Sequence, residues 1–442
     1  MKRYIYVMFY FFSPLILATL LYVSNPMKYT NITFMISMLS GAFAYTWLNW
    51  QFIISARPKF IEKIFGMDHL YRVHGIMAVF SLALVGVHRI INLNIFSVSR
   101  MINIGQASFI VFIIISILSI ILMTSLASRS KPIRRIKTLI ERIPLFKYRQ
   151  LKIIHNVSIA ALILLQIHVL MTTAVKANVI VFSGYMSYFL LSFGFYFYHK
   201  VIKRWILVDN KYKIIEVAQE SGDMWRIDFL TNNEITYQPG QFAFFRFVAD
   251  KSKEEHPFTI SSSPTENGYM SVTIKELGDF TSKIGNIRPG DELIIEGPYG
   301  RFSYLNNTYE ENVVFIVGGV GVTPALSMVK HMADSYEKRK VLLIWGVRKT
   351  RDIIGREKLI ELQRTFPNLN IIPVVSDEPE YIGEKGYINK EILKRLLVQN
   401  GISPSNAGYY VCGPVGLMKS VKTALKALGV PQELIHDERF SL

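Results

Sequence analysis

The chain has 442 residues, half of them hydrophobic, a formal net charge of +17 and a single cysteine, Cys412. That length allows two or three domains, and one cysteine excludes an intrachain disulfide. The positive charge is concentrated beside apolar segments, as in membrane proteins, which argues against nucleic acid as a partner.

Residues 1–204 are apolar with basic punctuation. They hold six spanning candidates, roughly 4–23, 32–54, 71–91, 103–126, 152–174 and 179–199, each about as long as a transmembrane helix needs. The first is too long and too well flanked for a cleaved signal peptide. Lys2 and Arg3 precede it, and the stretch 55–72 carries Arg57, Lys59, Lys63 and Arg72. The stretch 127–152 carries Arg129, Lys131, Arg134, Arg135, Lys137, Arg142, Lys147, Arg149 and Lys152 against Glu141 alone. The alternate loops hold little more than Lys28, Arg100 and Lys176. By the positive-inside rule, the N-terminus, both basic loops and everything after residue 204 are expected on the cytoplasmic side of the cell membrane, with membrane lipid as a constant partner.

Two histidine pairs stand inside these apolar segments. His74 and His88 are fourteen residues apart in the third span, and His155 and His168 are thirteen apart in the fifth. Imidazoles are costly in a bilayer and are normally functional there. Each spacing separates its rings by roughly 20 Å along a helix, within a hydrocarbon core about 30 Å thick. Because both helices run from inside to outside, His74 pairs with His155 at the inner level and His88 with His168 at the outer. Imidazole is a usual axial ligand of haem iron, so the pattern reads as two bis-histidyl b-type haems forming an electron wire. The missing Cys-x-x-Cys-His motif makes both haems non-covalent. On an ideal helix fourteen residues return to within about 40° of one face, but thirteen miss by about 140°. The fifth span must therefore be distorted, or present its haems at different angles.

After residue 204 the composition becomes that of a soluble α/β protein. KIIEVA, WRIDFL, QFAFFRFV, PFTIS, YMSVTIKEL and ELIIEG read as short strands, with turns at Pro239-Gly240 and Pro289-Gly290. Six such strands suggest a small antiparallel β-barrel. From about residue 312 strands alternate with helices: VVFIVGG then PALSMVKHMA, VLLIWG then REKLIELQ, NIIPVV then NKEILKRLL, GYYVCG then GLMKSVKTAL. That rhythm predicts a parallel sheet flanked by helices, a nucleotide-binding architecture. Gly318, Gly319 and Gly321, followed by Thr323 and Pro324, form a strand-to-helix turn. Glycines let a pyrophosphate approach the backbone, and the helix N-terminus supplies amide donors; a plain tight turn is the alternative.

With these segments in hand, the whole chain resembles the NADPH oxidase and ferric reductase superfamily, and its short bacterial NADPH oxidases most closely. The histidine pairs match that family's haem ligands, which implies iron ligation by His74, His88, His155 and His168. His256-Pro257-Phe258-Thr259-Ile260-Ser261 is similar to its flavin motif; the resemblance implies an FAD site there, with His256, Phe258 and Thr259 in contact and Pro257 and Ser261 beside them. Lys275, Gly278 and Thr281 look like the segment lining the FAD pyrophosphate, and Gly297-Pro298-Tyr299-Gly300 like a Gly-Pro-aromatic-Gly turn. Gly318 to Pro324 looks like the nicotinamide-dinucleotide loop. Cys412-Gly413-Pro414 resembles the motif beside the nicotinamide, so Cys412 either borders the hydride path or fills space. Phe440 looks like the aromatic that covers the flavin, or else it is a core residue. Arg348 stands where a ribose 2′-phosphate would be read by a guanidinium, or it is simply solvated. Arg57 and Arg72 suit haem propionates or the positive-inside bias equally. The chain departs from larger relatives in having no EF-hand loop, no Pro-rich tail and short outer loops. Asn92 stands where some relatives carry a further histidine, and Phe80, midway between His74 and His88, either sits between the haems or, the safer reading, packs.

The fold implied is a membrane α-helical bundle of six transmembrane helices (1–204), then a β-barrel FAD domain (205–308) and an α/β NADPH-binding domain (309–442). The implied activity is electron transfer from cytoplasmic NADPH through FAD and two haems to dioxygen outside, giving superoxide, with no obligatory regulatory subunit. Arg89 and Arg100 either stabilise an anion at the outer face or snorkel to the interface. A ferric chelate, another metal or a partner redox protein as acceptor is the first rival. A haem-binding channel or sensor is the second.

Overall fold

The computed structural model describes residues 2–24, 32–93, 100–124, 131–143, 146, 148–231, 235–250 and 254–439. The chain forms two compact units, Met1–Lys203 and Arg204–Leu442.

The first unit is helical. Helices α1 (Lys2–Phe12) and α2 (Pro14–Ser24) follow one another with a break where Pro14 has no N–H to give. Then come α3 (Ile32–Ser55), α4 (Lys59–Phe65), α5 (Met67–Leu93) and α6 (Arg100–Met123). After α7 (Lys131–Glu141), α8 (Tyr148–Asn156) and α9 (Ser158–Met171) meet at Val157. The unit ends with α10 (Thr173–Ala177) and α11 (Val179–Phe197), the latter capped by the Asn178 side chain and followed by a π turn, Tyr198–Ile202.

Among the described residues, five helical stretches are long and apolar enough to cross a membrane: Arg3–Ser24, Met67–Leu93, Arg100–Met123, Gln150–Met171 and Val179–Val208. The second expected span, 32–54, is the 24-residue helix α3, which is not among them. Its apolar content is diluted by Tyr45, Thr46, Asn49 and Gln51, all buried inside the unit. These polar groups are partnered: Tyr45 Oη donates to Gln166 Oε1 at 2.5 Å, Ser192 Oγ to Asn49 Oδ1 at 2.5 Å, and Gln51 Nε2 to Tyr10 Oη at 3.0 Å. Apolar side chains such as Ile76, Ile90, Ile114 and Leu190 are meanwhile exposed. Polar groups inside and aliphatic groups outside is the arrangement a hydrocarbon solvent demands.

The second unit is built on two sheets. Strands β1 (Lys211–Ser221), β2 (Met224–Leu230), β3 (Phe242–Phe247), β4 (His256–Thr259), β5 (Tyr269–Lys275) and β6 (Glu292–Tyr299) form an antiparallel sheet in the order β4-β3-β6-β1-β2-β5. Its two edges approach at a bridge between Ile260 and Val272. Gly240 and Gly290 take positive φ, as the expected Pro-Gly turns require. A Cβ on Gly240 would meet the Phe302 carbonyl at 2.1 Å.

The second sheet is parallel. Strands β7 (Asn312–Gly318), β8 (Lys340–Val347), β9 (Leu369–Val375), β10 (Glu384–Lys385), β11 (Ala407–Cys412) and β12 (Ile435–Glu438) lie in the order β10-β9-β8-β7-β11-β12. Helices α13 (Thr323–Asp334), α14 (Arg356–Thr365), α15 (Lys390–Gln399) and α16 (Val415–Ala427) alternate with them. Strands β7, β8 and β11 are buried almost throughout, as both-face coverage of a parallel sheet requires. The order reverses between β7 and β11, and the crevice beyond the strand ends at such a switch point is where this architecture binds ligands.

Beneath α13, the Tyr304 hydroxyl lies 2.7 Å from His331 Nδ1. Burial pulls the His331 pKa below its ordinary 6.5, partly opposed by Asp334. A depressed histidine contributes stability that is complete above the unfolded pKa and lost as pH falls through the folded one. The thermal midpoint of the full chain is therefore expected to drop between neutral pH and about pH 5, and less steeply in His331→Gln. Equal slopes in the two proteins would show that His331 does not titrate with folding.

Candidate functional site

In the first unit, α5 carries His74 and His88 without interruption, whereas His155 lies in the last turn of α8 and His168 in the last turn of α9. The thirteen-residue spacing called for a distortion or for differently angled rings; at Val157, between those two helices, the hydrogen bonds tighten to a three-residue spacing while φ and ψ stay right-handed helical. His74 and His155 have ring centres 6.1 Å apart and planes at 61°; His88 and His168 are 6.3 Å apart at 85°. Metal–imidazole bonds of about 2 Å place two rings on opposite sides of one ion with centres roughly 6 Å apart. Among the described residues no group of three or more His, Cys, Asp or Glu could hold a metal ion. Two imidazoles at each level therefore suit an ion whose other ligands come with it, as in a porphyrin.

The surrounding groups set the tautomers. His88 Nδ1 donates to the Ser37 carbonyl at 2.8 Å, and His168 Nδ1 to the Met101 carbonyl at 2.9 Å. An Nδ1–H so engaged leaves the Nε2 lone pair for a metal. Asn92 Nδ2 meets that lone pair on His88 at 3.1 Å. At the inner level His155 Nδ1 lies 3.1 Å from Ser119 Oγ. Arg89 places its guanidinium 5.9 Å from the Phe109 ring. Phe80 packs against Trp47, with ring centres 5.5 Å apart.

Two glycines make room for the outer rings. A Cβ on Gly41 of α3 would stand 2.8 Å from His88 Nδ1, and one on Gly105 of α6 would stand 2.6 Å from His168 Nδ1. Sequence reading missed both, because glycine in an apolar helix signals close packing without saying against what. Gly105→Ala is expected to push His168 off the Met101 carbonyl and, if each ring pair holds a haem, to cost about one of two haem equivalents, measured as bound haem per chain. Gly86→Ala is the control, since nothing lies within 4 Å of its Cβ position. Full haem content in Gly105→Ala would show that the ring yields without losing its function.

In the second unit, β4 carries the flavin-type motif. His256 stacks on Phe280 at 3.8 Å and 17°, with His256 Nε2 3.1 Å from Glu254, and Phe258 lies 6.4 Å from Phe280 in a similar plane. Pro257 pairs with Phe244 across the sheet, and Thr259 is buried opposite Phe242. Ser261 Oγ accepts from Thr273 Oγ1 at 3.1 Å. Phe280 was not singled out from the sequence, although it sits in the same run as Gly278 and Thr281. Thr281 Oγ1 accepts from the backbone N–H of Leu277 and Gly278 at 2.8 and 3.0 Å, tightening that turn. Lys275 Nζ pairs with Asp223 at 3.1 Å. These residues combine aromatic faces, a cation and a tight turn, a set that suits an aromatic ring system with an anionic linker.

At the ends of β7 and β11 the glycines meet. A Cβ on Gly321 would lie 2.7 Å from Gly413 Cα and 2.9 Å from the Cys412 carbonyl carbon and oxygen. A Cβ on Gly318 would lie 2.8 Å from Leu417 and 3.2 Å from Pro414. Gly319 takes φ +54° with open space beside it, and Thr323 and Pro324 begin α13. Cys412 is fully buried at the end of β11. Arg348 is exposed just after β8, and its carbonyl accepts from Asp377 N. Phe440 lies outside the described residues.

Residues 209–303 match the family model of an FAD-binding domain, and residues 315–423 that of an oxidoreductase NAD-binding domain. The chain is 29% identical over 247 residues to the glycine betaine monooxygenase reductase subunit of Chromohalobacter salexigens, covering 53% of this chain and 65% of that protein. It is 28% identical to the NADH-cytochrome b5 reductase 2 of Aspergillus oryzae, covering 48% and 68%, and 30% identical to the flavohemoprotein of Rhizobium meliloti, covering 46% and 53%. Against the reductase subunits and the phenol hydroxylase P5 protein of Acinetobacter pittii, it spans 63–66% of their length, less than two thirds. A crystal structure of the Amycolatopsis cytochrome P450 reductase GcoB is similar at 20% identity with a TM-score of 0.47, over 52% of this chain and 69% of that one. The C-terminal half thus carries FAD- and NAD-binding domains of a flavoprotein oxidoreductase.

Proposed function

We propose that this chain is a transmembrane NADPH oxidase of the cell membrane. It takes electrons from NADPH on the cytoplasmic side and delivers them singly to dioxygen on the outer side, forming superoxide. The observation that carries this reading is the pair of imidazole couples, 6.1 and 6.3 Å across, at two levels of one helical unit in a chain that also matches FAD- and NAD-binding domains. On this reading α3 is a sixth span, sheltered by its neighbours. The antiparallel sheet closes as a barrel, a view supported by the Ile260–Val272 bridge.

When bound, FAD converts hydride into single-electron chemistry, and two b-type haems supply one-electron carriers. The residues' part is to hold and orient. His74 with His155, and His88 with His168, would hold the two haems, the outer pair oriented by the Ser37 and Met101 carbonyls. His256, Phe258 and Thr259, with Phe280 beside them, hold the flavin, and Lys275 offsets pyrophosphate charge. Gly318, Gly319 and Gly321 admit the dinucleotide backbone to the start of α13, and Gly413 and Pro414 shape the opposite wall. Arg348 reads the 2′-phosphate. Phe440 would be the aromatic that screens the flavin, and Cys412, buried at the end of β11, would border the nicotinamide.

The test is NADPH oxidation by the FAD- and haem-loaded protein in air, with cytochrome c reduction followed with and without superoxide dismutase. Fast turnover with dismutase-sensitive reduction is expected. Slow turnover that accelerates sharply with a ferric chelate would make the protein a metalloreductase instead.

A further inference from the structure

The loop joining the spans Arg100–Met123 and Gln150–Met171 contains α7, KPIRRIKTLIE. At about 100° per residue, Pro132, Ile133, Ile136, Leu139 and Ile140 fall within an arc of roughly 120°, Arg134 and Thr138 fall opposite, and Arg135 flanks the stripe beside Leu139. The apolar stripe is open: Ile136 is 47% and Leu139 65% exposed. Arg134 and Thr138 are exposed on the other face, and Arg135 at the edge of the stripe and Arg142 just past the helix end are exposed as well. An open apolar stripe is costly in water, and such a helix is stable when the stripe meets a less polar phase. Both ends of this loop lead into stretches long and apolar enough to span, so α7 is held at one membrane face. Its cations belong to the basic stretch 127–152.

We infer that α7 lies in the plane of the cytoplasmic membrane interface, its isoleucine–leucine stripe at the headgroup–acyl boundary and its arginines on the phosphates of anionic phospholipid. This inference rests on the transmembrane reading above. Charge complementarity selects the occupant: a zwitterionic surface satisfies the stripe but not the arginines, whereas the anionic cytoplasmic leaflet satisfies both.

Cys412 is the sole cysteine and is buried, so a cysteine introduced elsewhere on the folded chain is labelled selectively. An environment-sensitive fluorophore would be placed on Ile136→Cys, on Thr138→Cys, and on Ile114→Cys in the middle of α6. Each full-length, cofactor-loaded protein would be studied in detergent, in phosphatidylcholine nanodiscs and in nanodiscs containing phosphatidylglycerol, with nitroxide lipids as depth-resolved quenchers. The expected result is deep quenching at 114, and shallow quenching with a blue shift at 136 that grows with phosphatidylglycerol. Position 138 should stay unquenched. Replacing Arg134, Arg135 and Arg142 with Gln in the Ile136→Cys background should cut the anionic preference roughly fivefold per cation. If 114 is quenched but 136 stays in water in both lipids, the inference fails and the transmembrane reading survives. If 114 is unquenched, both fail. A probe at 136 already blue-shifted in detergent and indifferent to lipid would mean that protein covers the stripe, which also overturns the inference.

Discussion

Replacing His88 with Leu is expected to leave NADPH-driven bleaching of the flavin intact while superoxide formation falls by more than about a hundredfold. The size follows from position. Removing a group that merely supports a metal ligand costs 10–100-fold in affinity or activity, and His88 is the ligand itself on this reading. Leucine keeps the volume and suits the bilayer, so α5 should remain folded. Bound haem should drop by about half, because His74 and His155 sit a full helical run away and keep their own partners. A pair of rings in edge contact with no metal between them is worth only about 0.5–1.5 kcal/mol. On that view His88→Leu would leave haem content and oxygen reduction unchanged, and that outcome would sink the electron wire.

Gly321→Ala should give the second large effect, on the other side of the chain. Its Cβ would press on the Gly413 Cα and on the Cys412 carbonyl group, all backbone atoms between 2.7 and 2.9 Å away. No side chain can rotate aside, so the start of α13 must back away from the end of β11 and the crevice must open. Overpacking of this kind costs about 1–3 kcal/mol, roughly 5–150-fold in an equilibrium. The KM for NADPH is expected to rise accordingly, while flavin reduced photochemically still passes electrons onward at the normal rate. Gly319→Ala is the comparison. Its φ of +54° costs alanine about 1–2 kcal/mol, but its Cβ meets nothing. A smaller loss of thermal stability in Gly319→Ala than in Gly321→Ala is therefore expected. The reverse order would show that conformational freedom in the turn, and not close approach to β11, is what the glycines supply.

Much of this arrangement was readable in the residues because it obeys a period. The alternation of buried strand and amphipathic helix after residue 312 appears directly as the parallel sheet, and the Pro-Gly turns fall at Gly240 and Gly290. The phase mismatch of His155 and His168 called for a distorted fifth span or for differently angled rings, and the structure has a tightened turn at Val157. What escaped depends on which face of a helix meets which neighbour. Gly41 and Gly105 are unremarkable in an apolar run until a histidine is seen to occupy the space they leave. The polar groups of α3 lower its apolar content, and only the buried bonds of Tyr45, Asn49 and Gln51 show that they are internal. Phe280 lies on His256 through tertiary contact, which no local pattern encodes.

The turn at Val157 also decides where the chain can change length. Along α5, one residue gained or lost between His74 and His88 would swing the second ring by about 100° away from His168. That helix is a fixed ruler, closed to insertion and deletion. The partner helix is jointed: Val157 keeps right-handed helical angles (φ −63°, ψ −15°), but the hydrogen bonds around it tighten to a three-residue spacing. An added residue there can be taken up by the joint without turning either ring. Lineages of this chain should therefore keep the count between His74 and His88 constant and concentrate any drift in length between His155 and His168 at the joint.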